Sequence, residues 1–407
     1  MELQVERESR DEMNIRRFVV RFVEHAYRFL MKRIQKNLAK QNIIMFESFL
    51  GKQYSDSPKA IYEEWKRQNR EERLIWSMDR KHLHHLPSDV EYVERLSLKW
   101  VYYMGRSKVW ISNSRLPNWL PKDLNTIYLQ TWHGTPLKKL ALDMQEVHMA
   151  ETDRESYKKS FTKESSKWDF LIAPNEYSSE IFQRAFAFHQ DMLEIGYPRN
   201  DIFYQAERMK QLEQKVKHRL DIPSDKKVIL YAPTWRDQQN EGRGKYRFQI
   251  PFDFQEFSSR YGDQYVLLVR FHYLVSEELN LESVHPHVID VSSYPDIAEL
   301  YTISDVLITD YSSVMFDYAH LSRPMLFYTY DLEEYRDVIR GFYFDFTKEA
   351  PGPLVRTQDE LFDAIDRLSD VTLQYKEKYD LFQKRFCEYD RGEASKIIVQ
   401  TLSERMR

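Results

Sequence analysis

The chain has a single cysteine, Cys387, among 407 residues. An intramolecular disulfide is therefore impossible and a thiolate metal cluster is excluded, which fits a reducing cytosol. Long apolar runs are also missing. None approaches the roughly 18 residues that a bilayer-spanning helix needs, and the mean hydropathy is −0.66. The opening residues, MELQVERESRDE, are charged and partly acidic, unlike a secretory leader. Neither sign of charge prevails, and a net charge of −4 gives no case for a general nucleic-acid binder. The phosphate-binding loops GxGxxG and GxxxxGK(S/T) are absent, so dehydrogenase and P-loop readings fall with them. The cluster KHLHHL, with His82, His84 and His85, lacks the i, i+4 helical spacing and the adjacent glutamate of an HExxH metal site.

What is present suits a two-domain α/β protein. Hydrophobic residues at 42% and aromatics at 14% are ample for two cores, and 407 residues exceed what one core usually supports. Phe18, Phe22, Val23, Ala26, Leu30, Ile34 and Leu38 recur at helical spacing between Arg21, Arg28, Lys32, Arg33 and Lys36, which predicts a basic amphipathic helix within residues 1–42. Such a helix either lies in an anionic membrane interface or packs on the protein body. FESFLGKQYSDSPKAIYEEW (Phe46 to Trp65) reads as strand, loop, helix, and KWVYYMGRSKVWISNS and TIYLQ read as two strands. Repeated βα units with parallel strands follow. The break Asp221-Ile222-Pro223 before KKVILYAP places a domain boundary there, giving residues 43–221 and 222–407, with two or three charged helices at the end. DFLIAPNEYSSEIF (Asp169 to Phe182) echoes DVLITDYSSVMF (Asp305 to Phe316), so each half contains a similar βα unit, by duplication or by convergence.

Four strand ends carry polar or cationic side chains. In SDVLITDYSSVMFDYA (Ser304 to Ala319), Val306 to Ile308 suit a buried strand, and Ser312 and Ser313 suit a helix start. Hydroxyls and unpaired N–H groups at that point suit a phosphate, although a plain helix cap leaves the same trace. Asp317 in the following turn either favours the helix dipole or accepts a ribose hydroxyl; Asp310 is a turn residue or a ligand contact. In TWHGTPLKK, His133 is placed as a general base or a structural histidine. Gly134 allows close approach of a ligand, with Thr135 beside it, and Pro136 suits the first turn of a helix running through Lys138. Arg270 and His272 project from one face of a strand end and address one anion, or else cap and bridge domains. Thr234 and Arg236 end the KKVILYAPTWRD strand as further phosphate contacts or as solvated groups, and the polar run Asp237 to Arg247 predicts a loop beside the site.

Together, FESFLGKQYSDSPKAIYE, TWHGTPLKKL, GYPRND (Gly196 to Asp201), YAPTWRD, the RFH strand end, SDVLITDYSSVMFDYAHLSRP and RGFYFD (Arg340 to Asp345) resemble the CDP-glycerol glycerophosphotransferase family, the teichoic acid primases and polymerases. The resemblance implies a GT-B architecture, two Rossmann-like domains facing across a cleft, with acceptor handled by the first and CDP-linked donor by the second. It implies transfer of glycerol phosphate from CDP-glycerol to an undecaprenyl-diphosphate-linked acceptor with release of CMP, at the inner face of the plasma membrane. His133 and His272 are then the catalytic candidates. Thr234, Arg236, Arg270, Asp310, Ser312, Ser313 and Asp317 fall on the donor side, and Gly134, Thr135 and Lys138 on the acceptor side. Members that polymerise often carry a further N-terminal domain, which is not seen here, so primase, short-chain extender and compact polymerase stay open. The expectation is of activity without cofactor or metal, since no DxD-like carboxylate pair stands at a strand end. A CDP-ribitol donor, or a GT-B glycosyltransferase using a nucleotide sugar, is the alternative; a non-catalytic scaffold is a more distant one.

Overall fold

The computed structural model describes residues 2–144, 154–234, 252–271, 287–334 and 341–406, with side chains for all of these except 2–17 and 334. Two parallel sheets dominate. The first has the order β3-β2-β1-β4-β5-β6-β7, from β1 (Gln41–Glu47), β2 (Arg73–Met78), β3 (Tyr92–Glu94), β4 (Ser107–Ser112), β5 (Ile127–Gln130), β6 (Phe170–Ala173) and β7 (Asp191–Glu194). The second has the order β10-β9-β8-β11-β12-β13, from β8 (Lys227–Tyr231), β9 (Tyr265–Val269), β10 (Val288–Asp290), β11 (Val306–Thr309), β12 (Met325–Tyr328) and β13 (Leu354–Val355). Both are doubly wound, so each has a switch point, between β1 and β4 and between β8 and β11, where the strand ends open a crevice.

The strands are continuous apolar runs because both faces are covered. In β8, Val228 and Leu230 enter one core with Leu268 and Leu307, while Ile229 and Tyr231 enter the opposite core with Leu267 and Ile308. The first sheet divides in the same way, Met45 and Trp110 on one face and Ile44, Phe46 and Ile111 on the other. Alternate side chains of one strand thus build two cores.

Three sequence expectations are corrected. KWVYYMGR is helical: α3 (Leu98–Arg106) follows α1 (Glu2–Asn37) and α2 (Asp56–Arg67), and starts where the Ser97 hydroxyl accepts from the Trp100 N–H at 3.1 Å. The chain leaves the first domain at a 3₁₀ segment, Pro198–Tyr204, earlier than Pro223. With α4 (Arg154–Ser165) and α5 (Glu176–Ala185) in the first domain, α6 (Ala206–Arg219) already places Val216 in the second domain's core. The charged C-terminal region forms four helices, and the last, Ala394–Arg405, crosses back to pack Ile398, Val399 and Leu402 against Ile44, Phe46 and Trp65.

Among the residues of α1 with described side chains, those at its end dock on the body. Met31 and Ile34 are buried against α3, and Ile34 lies so close to Gly105 that a Cβ there would stand 2.7 Å from its Cγ2. Further up, Phe18, Phe22 and Phe29 are 71%, 66% and 63% exposed. Among the described residues, no helix is long and apolar enough to cross a membrane.

Candidate active site

His133 lies just beyond β5, at the cleft between the domains. The turn that carries it is unusual: Trp132 has φ +52, a left-handed conformation that costs a non-glycine residue roughly 1–2 kcal/mol. Packing holds it there. The Trp132 ring stacks on His133 at 4.4 Å and sits against Phe161 of α4 and Phe182 of α5, while the Trp132 main-chain N–H donates to Gln130 Oε1 at 2.9 Å. The imidazole Nδ1 lies 2.7 Å from the Asn113 carbonyl oxygen. A carbonyl can only accept, so Nδ1 carries the hydrogen and Nε2 presents a lone pair. Solvent reaches the ring, yet the surrounding protein removes enough water to lower its pKa below the usual value near 6.5. The Asn113 hydrogen bond and the Asp56 charge act against that shift, and Arg199 acts with it. A neutral imidazole with one free nitrogen is the state a general base requires.

Asn113 is itself fixed from three sides. Its Oδ1 accepts from the Phe49 N–H at 2.8 Å and from the Ser114 hydroxyl at 3.1 Å, and its Nδ2 donates to Asp56 Oδ2 at 2.9 Å. Asp56, at the start of α2 with φ +64, takes Arg199 Nη1 on Oδ1 at 3.0 Å. Arg199 then reaches into the second domain, where Nη2 donates to both oxygens of Asp317 at 2.9 and 3.0 Å. All four residues are buried. Burial alone would lower the Arg199 pKa, but Asp317 and Asp56 hold it well above its ordinary value, so the guanidinium stays charged. A second bridge between the domains joins Lys59 of α2 to Asp296 at 2.8 Å and Glu299 at 2.6 Å.

The facing wall belongs to the second domain. Gly134 lies against Ser313, where a Cβ would come within 3.1 Å of the serine Oγ, so the glycine is what lets the two walls meet. Trp132, His133, Thr135, Lys138, Tyr311 and Ser313 line a cleft of about 130 Å³. Ser313 opens the short helix Val314–Tyr318 without a side-chain cap bond, and the Ser312 hydroxyl stands 3.5 Å from the Val314 N–H. The serines expected as caps therefore do little capping. The helix expected after Pro136 is absent. Lys138 is bridged to Phe342 instead, with the Lys139 N–H on the Gly341 carbonyl at 3.0 Å and the Tyr343 N–H on the Leu137 carbonyl at 2.9 Å. Backbone pairing across the domains satisfies the groups that a helix would have used.

The remaining expected donor residues are placed as follows. Asp310 is buried, and its Oδ1 accepts from the Thr234 N–H at 2.8 Å and the Tyr311 N–H at 2.6 Å, clasping the ends of β8 and β11. Asp317 is engaged by Arg199 rather than presented to the cleft. Arg270 donates Nη1 to the carbonyls of Val291 and Tyr294 at 3.0 and 2.6 Å, and burial lowers its pKa. Arg236, His272 and the loop Asp237 to Arg247 lie outside the described residues. The His84 and His85 rings lie 3.9 Å apart, tilted by 46°, and among the described residues no group of three or more His, Cys, Asp or Glu is arranged to hold a metal ion.

The model of the CDP-Glycerol:Poly(glycerophosphate) glycerophosphotransferase family matches residues 28–404. The chain belongs to that family. It is 50% identical over 367 residues to a teichoic acid poly(glycerol phosphate) polymerase of Bacillus spizizenii, covering 89% of this chain and 92% of that protein. A teichoic acid glycerol-phosphate transferase of Staphylococcus aureus is 45% identical, with 95% and 99% covered. The polymerase of Bacillus subtilis is 47% identical, and there the match takes in 94% of this chain but only 51% of the relative, so the chain spans about half of that protein. The wall teichoic acid polymerase TagF superposes with a TM-score of 0.88 at 43% identity, over 96% of both chains, and one variant of it was soaked with CDPG. A UDP-GlcNAc 2-epimerase from Neisseria meningitidis, at 15% identity and a TM-score of 0.52 over 89% of this chain and all of that one, shares the fold alone. The architecture is GT-B, as the resemblance implied.

Of the residues that the sequence singles out, the fold brings His133, Gly134, Thr135, Lys138 and Ser313 to one cleft. Asn113, Asp56 and Arg199, which stand behind His133, are not among them. GYPRND carries the family resemblance, and nothing local in it signals that Arg199 joins two domains.

Proposed function

We propose that the protein transfers glycerol phosphate from CDP-glycerol to the terminal hydroxyl of a lipid-linked teichoic acid acceptor. The acceptor oxygen attacks the β-phosphorus, the bond from that phosphorus to the bridging oxygen breaks, CMP leaves with the bridging oxygen, and the hydroxyl proton passes to His133 Nε2. Phosphoryl transfer asks the protein mainly for positioning and charge stabilisation. Ser312 and Ser313 hold the diphosphate by their hydroxyls. Arg270, its Nη1 held by carbonyls, adds positive charge to the donor half, and Arg236 and His272 are the further donor-side candidates from the sequence. No metal takes part. The observation that carries this reading is the neutral His133, its Nδ1 tied to Asn113 and its Nε2 free, in a cleft walled by Ser313.

Lipid-linked acceptor and anionic membrane meet the protein at α1, on the cytoplasmic face. Phe18, Phe22 and Phe29 are exposed beside Arg21, Arg28, Lys32 and Arg33, a composition suited to acyl chains below and headgroups around. Replacing the three phenylalanines by serine is expected to abolish co-sedimentation with phosphatidylglycerol vesicles; undiminished binding would remove α1 from this role.

The deciding experiment incubates purified protein with CDP-glycerol and a lipid-linked acceptor analogue, measuring CMP and the mass added to acceptor. One glycerol-phosphate increment indicates a primase and a ladder a polymerase. Turnover with CDP-ribitol alone, or release of a nucleoside diphosphate from a nucleotide sugar, would overturn the reading.

A further inference from the structure

The function proposed above uses none of Asp56, Arg199 or Asp317, although with Asn113 they form a buried, charge-assisted chain from the base to the opposite domain. His133 is oriented by one hydrogen bond, to a main-chain carbonyl. A carbonyl at a strand end points usefully only if its residue is fixed, and Asn113 is fixed through Asp56. Asp56 in turn holds a left-handed φ of +64, a strained conformation that persists where the surroundings over-determine it, and Arg199 supplies that restraint. Arg199 is anchored by Asp317, which lies four positions after Ser313 on the same short helix segment. The residue that walls the cleft and the residue that ends the chain therefore move together.

Resting on the assignment of His133 as base, we infer that Asp56 and Arg199 are positioning residues for it, and that Asp317 makes this positioning depend on the second domain being docked. The base is aligned when the Ser313 wall is in place and loosened when the domains part. This is a coupling with a physical carrier, an ion pair that exists only in the docked arrangement.

A merely structural ion pair predicts a loss of folded protein and no change in kcat or in the pH–rate profile of the protein that remains folded. The positioning role predicts more. Among the described residues, the charged groups acting on His133 are Asp56, which favours the imidazolium, and Arg199, which opposes it; the rings packed on His133, Phe49 and Trp132, carry no charge. The test measures CMP release against pH, from about pH 5 to 9, for wild type, Asp56→Asn, Arg199→Met, Arg199→Lys, Asp317→Asn and His133→Ala. Misplacement of a catalytic group by about 1 Å costs on the order of 10²-fold, so kcat should fall about 10- to 100-fold in the first, second and fourth variants while KM for CDP-glycerol stays within about threefold. The acid limb should move to lower pH in Asp56→Asn and to higher pH in Arg199→Met. Arg199→Lys should lose kcat with its limb unmoved, since the charge remains and the two-sided geometry does not. If Arg199→Met does not fold, the isosteric Asp56→Asn decides by its limb. Wild-type kcat and limb in Asp56→Asn, with His133→Ala inactive, would overturn the positioning role alone. Wild-type turnover in His133→Ala would overturn the base assignment itself.

Discussion

Replacing Arg199 by alanine should destabilise the protein by an amount that depends on pH in a defined direction. The guanidinium is buried between Asp56 at 3.0 Å and Asp317 at 2.9 Å, and it lies over the Tyr197 ring at 4.2 Å. Removing it leaves two buried carboxylates without their cation, and breaking a buried pair of this kind typically costs about 3–5 kcal/mol. Urea titration at pH 7.5, followed by tryptophan fluorescence, would measure the loss. In the native protein burial pushes the Asp56 pKa up, but Arg199 and the hydrogen bonds from Ser57 and Asn113 hold it below 3.8. A depressed carboxylate stabilises the fold above its unfolded pKa and loses that contribution only as pH falls through the folded value. Asp317 differs, since burial already holds its pKa above 3.8 although Arg199 opposes the rise; without Arg199, burial dominates at both carboxylates, so Asp56 rises above its unfolded value and Asp317 rises further. A raised group contributes stability that is present at low pH and lost as pH rises, so the variant's deficit should shrink between pH 7.5 and pH 5. Asp56→Asn and Asp317→Asn added to Arg199→Ala should recover much of the loss, because no charge then remains uncompensated. A deficit under about 1 kcal/mol, or one that is the same at both pH values, would refute the reasoning.

Three further outcomes are expected. His133→Ala should lower turnover about 10²-fold or more with little change in KM for CDP-glycerol; and since the wild-type imidazole has its pKa below 6.5, the acid limb of kcat should fall below pH 6.5, which a pH–rate profile checks. Gly105→Ala puts a methyl 2.7 Å from Ile34 Cγ2, an overpacking worth about 1–3 kcal/mol that should free α1 and expose it to limited proteolysis, with Ile34→Ala in the same chain restoring protection. EDTA should leave CMP release unchanged, and a strict loss restored by a divalent cation would contradict the metal-free mechanism.

Strands were legible where burial on both faces demands an unbroken apolar run, as in KVILY, YVLLV and VLIT. The βα order and the cleft side of His133 followed from them. The error at α3 was local: its aromatic and β-branched residues suggested a strand, but the Ser97 cap, three residues before Trp100, was there to be read. The error after Pro136 was not, because the pairing that keeps Leu137 to Leu140 extended comes from Gly341 to Tyr343, some two hundred residues away. Asp310, Asp317 and Arg270 share another lesson. A charge at a strand end suggests a ligand, yet buried charges and exposed strand-end N–H and carbonyl groups also need partners, and here these three side chains supply them.

The choice of partner for His133 fits the chemistry. A carboxylate on Nδ1 would stabilise the imidazolium and raise its pKa, as charged partners do. The Asn113 carbonyl fixes the same tautomer without a full charge, and Asp56 acts one residue further back. The imidazole therefore stays neutral, and fully available as a base, near pH 7. It is a weaker base for being so, but phosphoryl transfer through a loose transition state places little bonding on the attacking oxygen when the barrier is crossed. Its proton can leave late. Under that condition correct placement of a populated base matters more than its strength, and placement is what the chain from Asn113 through Asp56 and Arg199 to Asp317 provides.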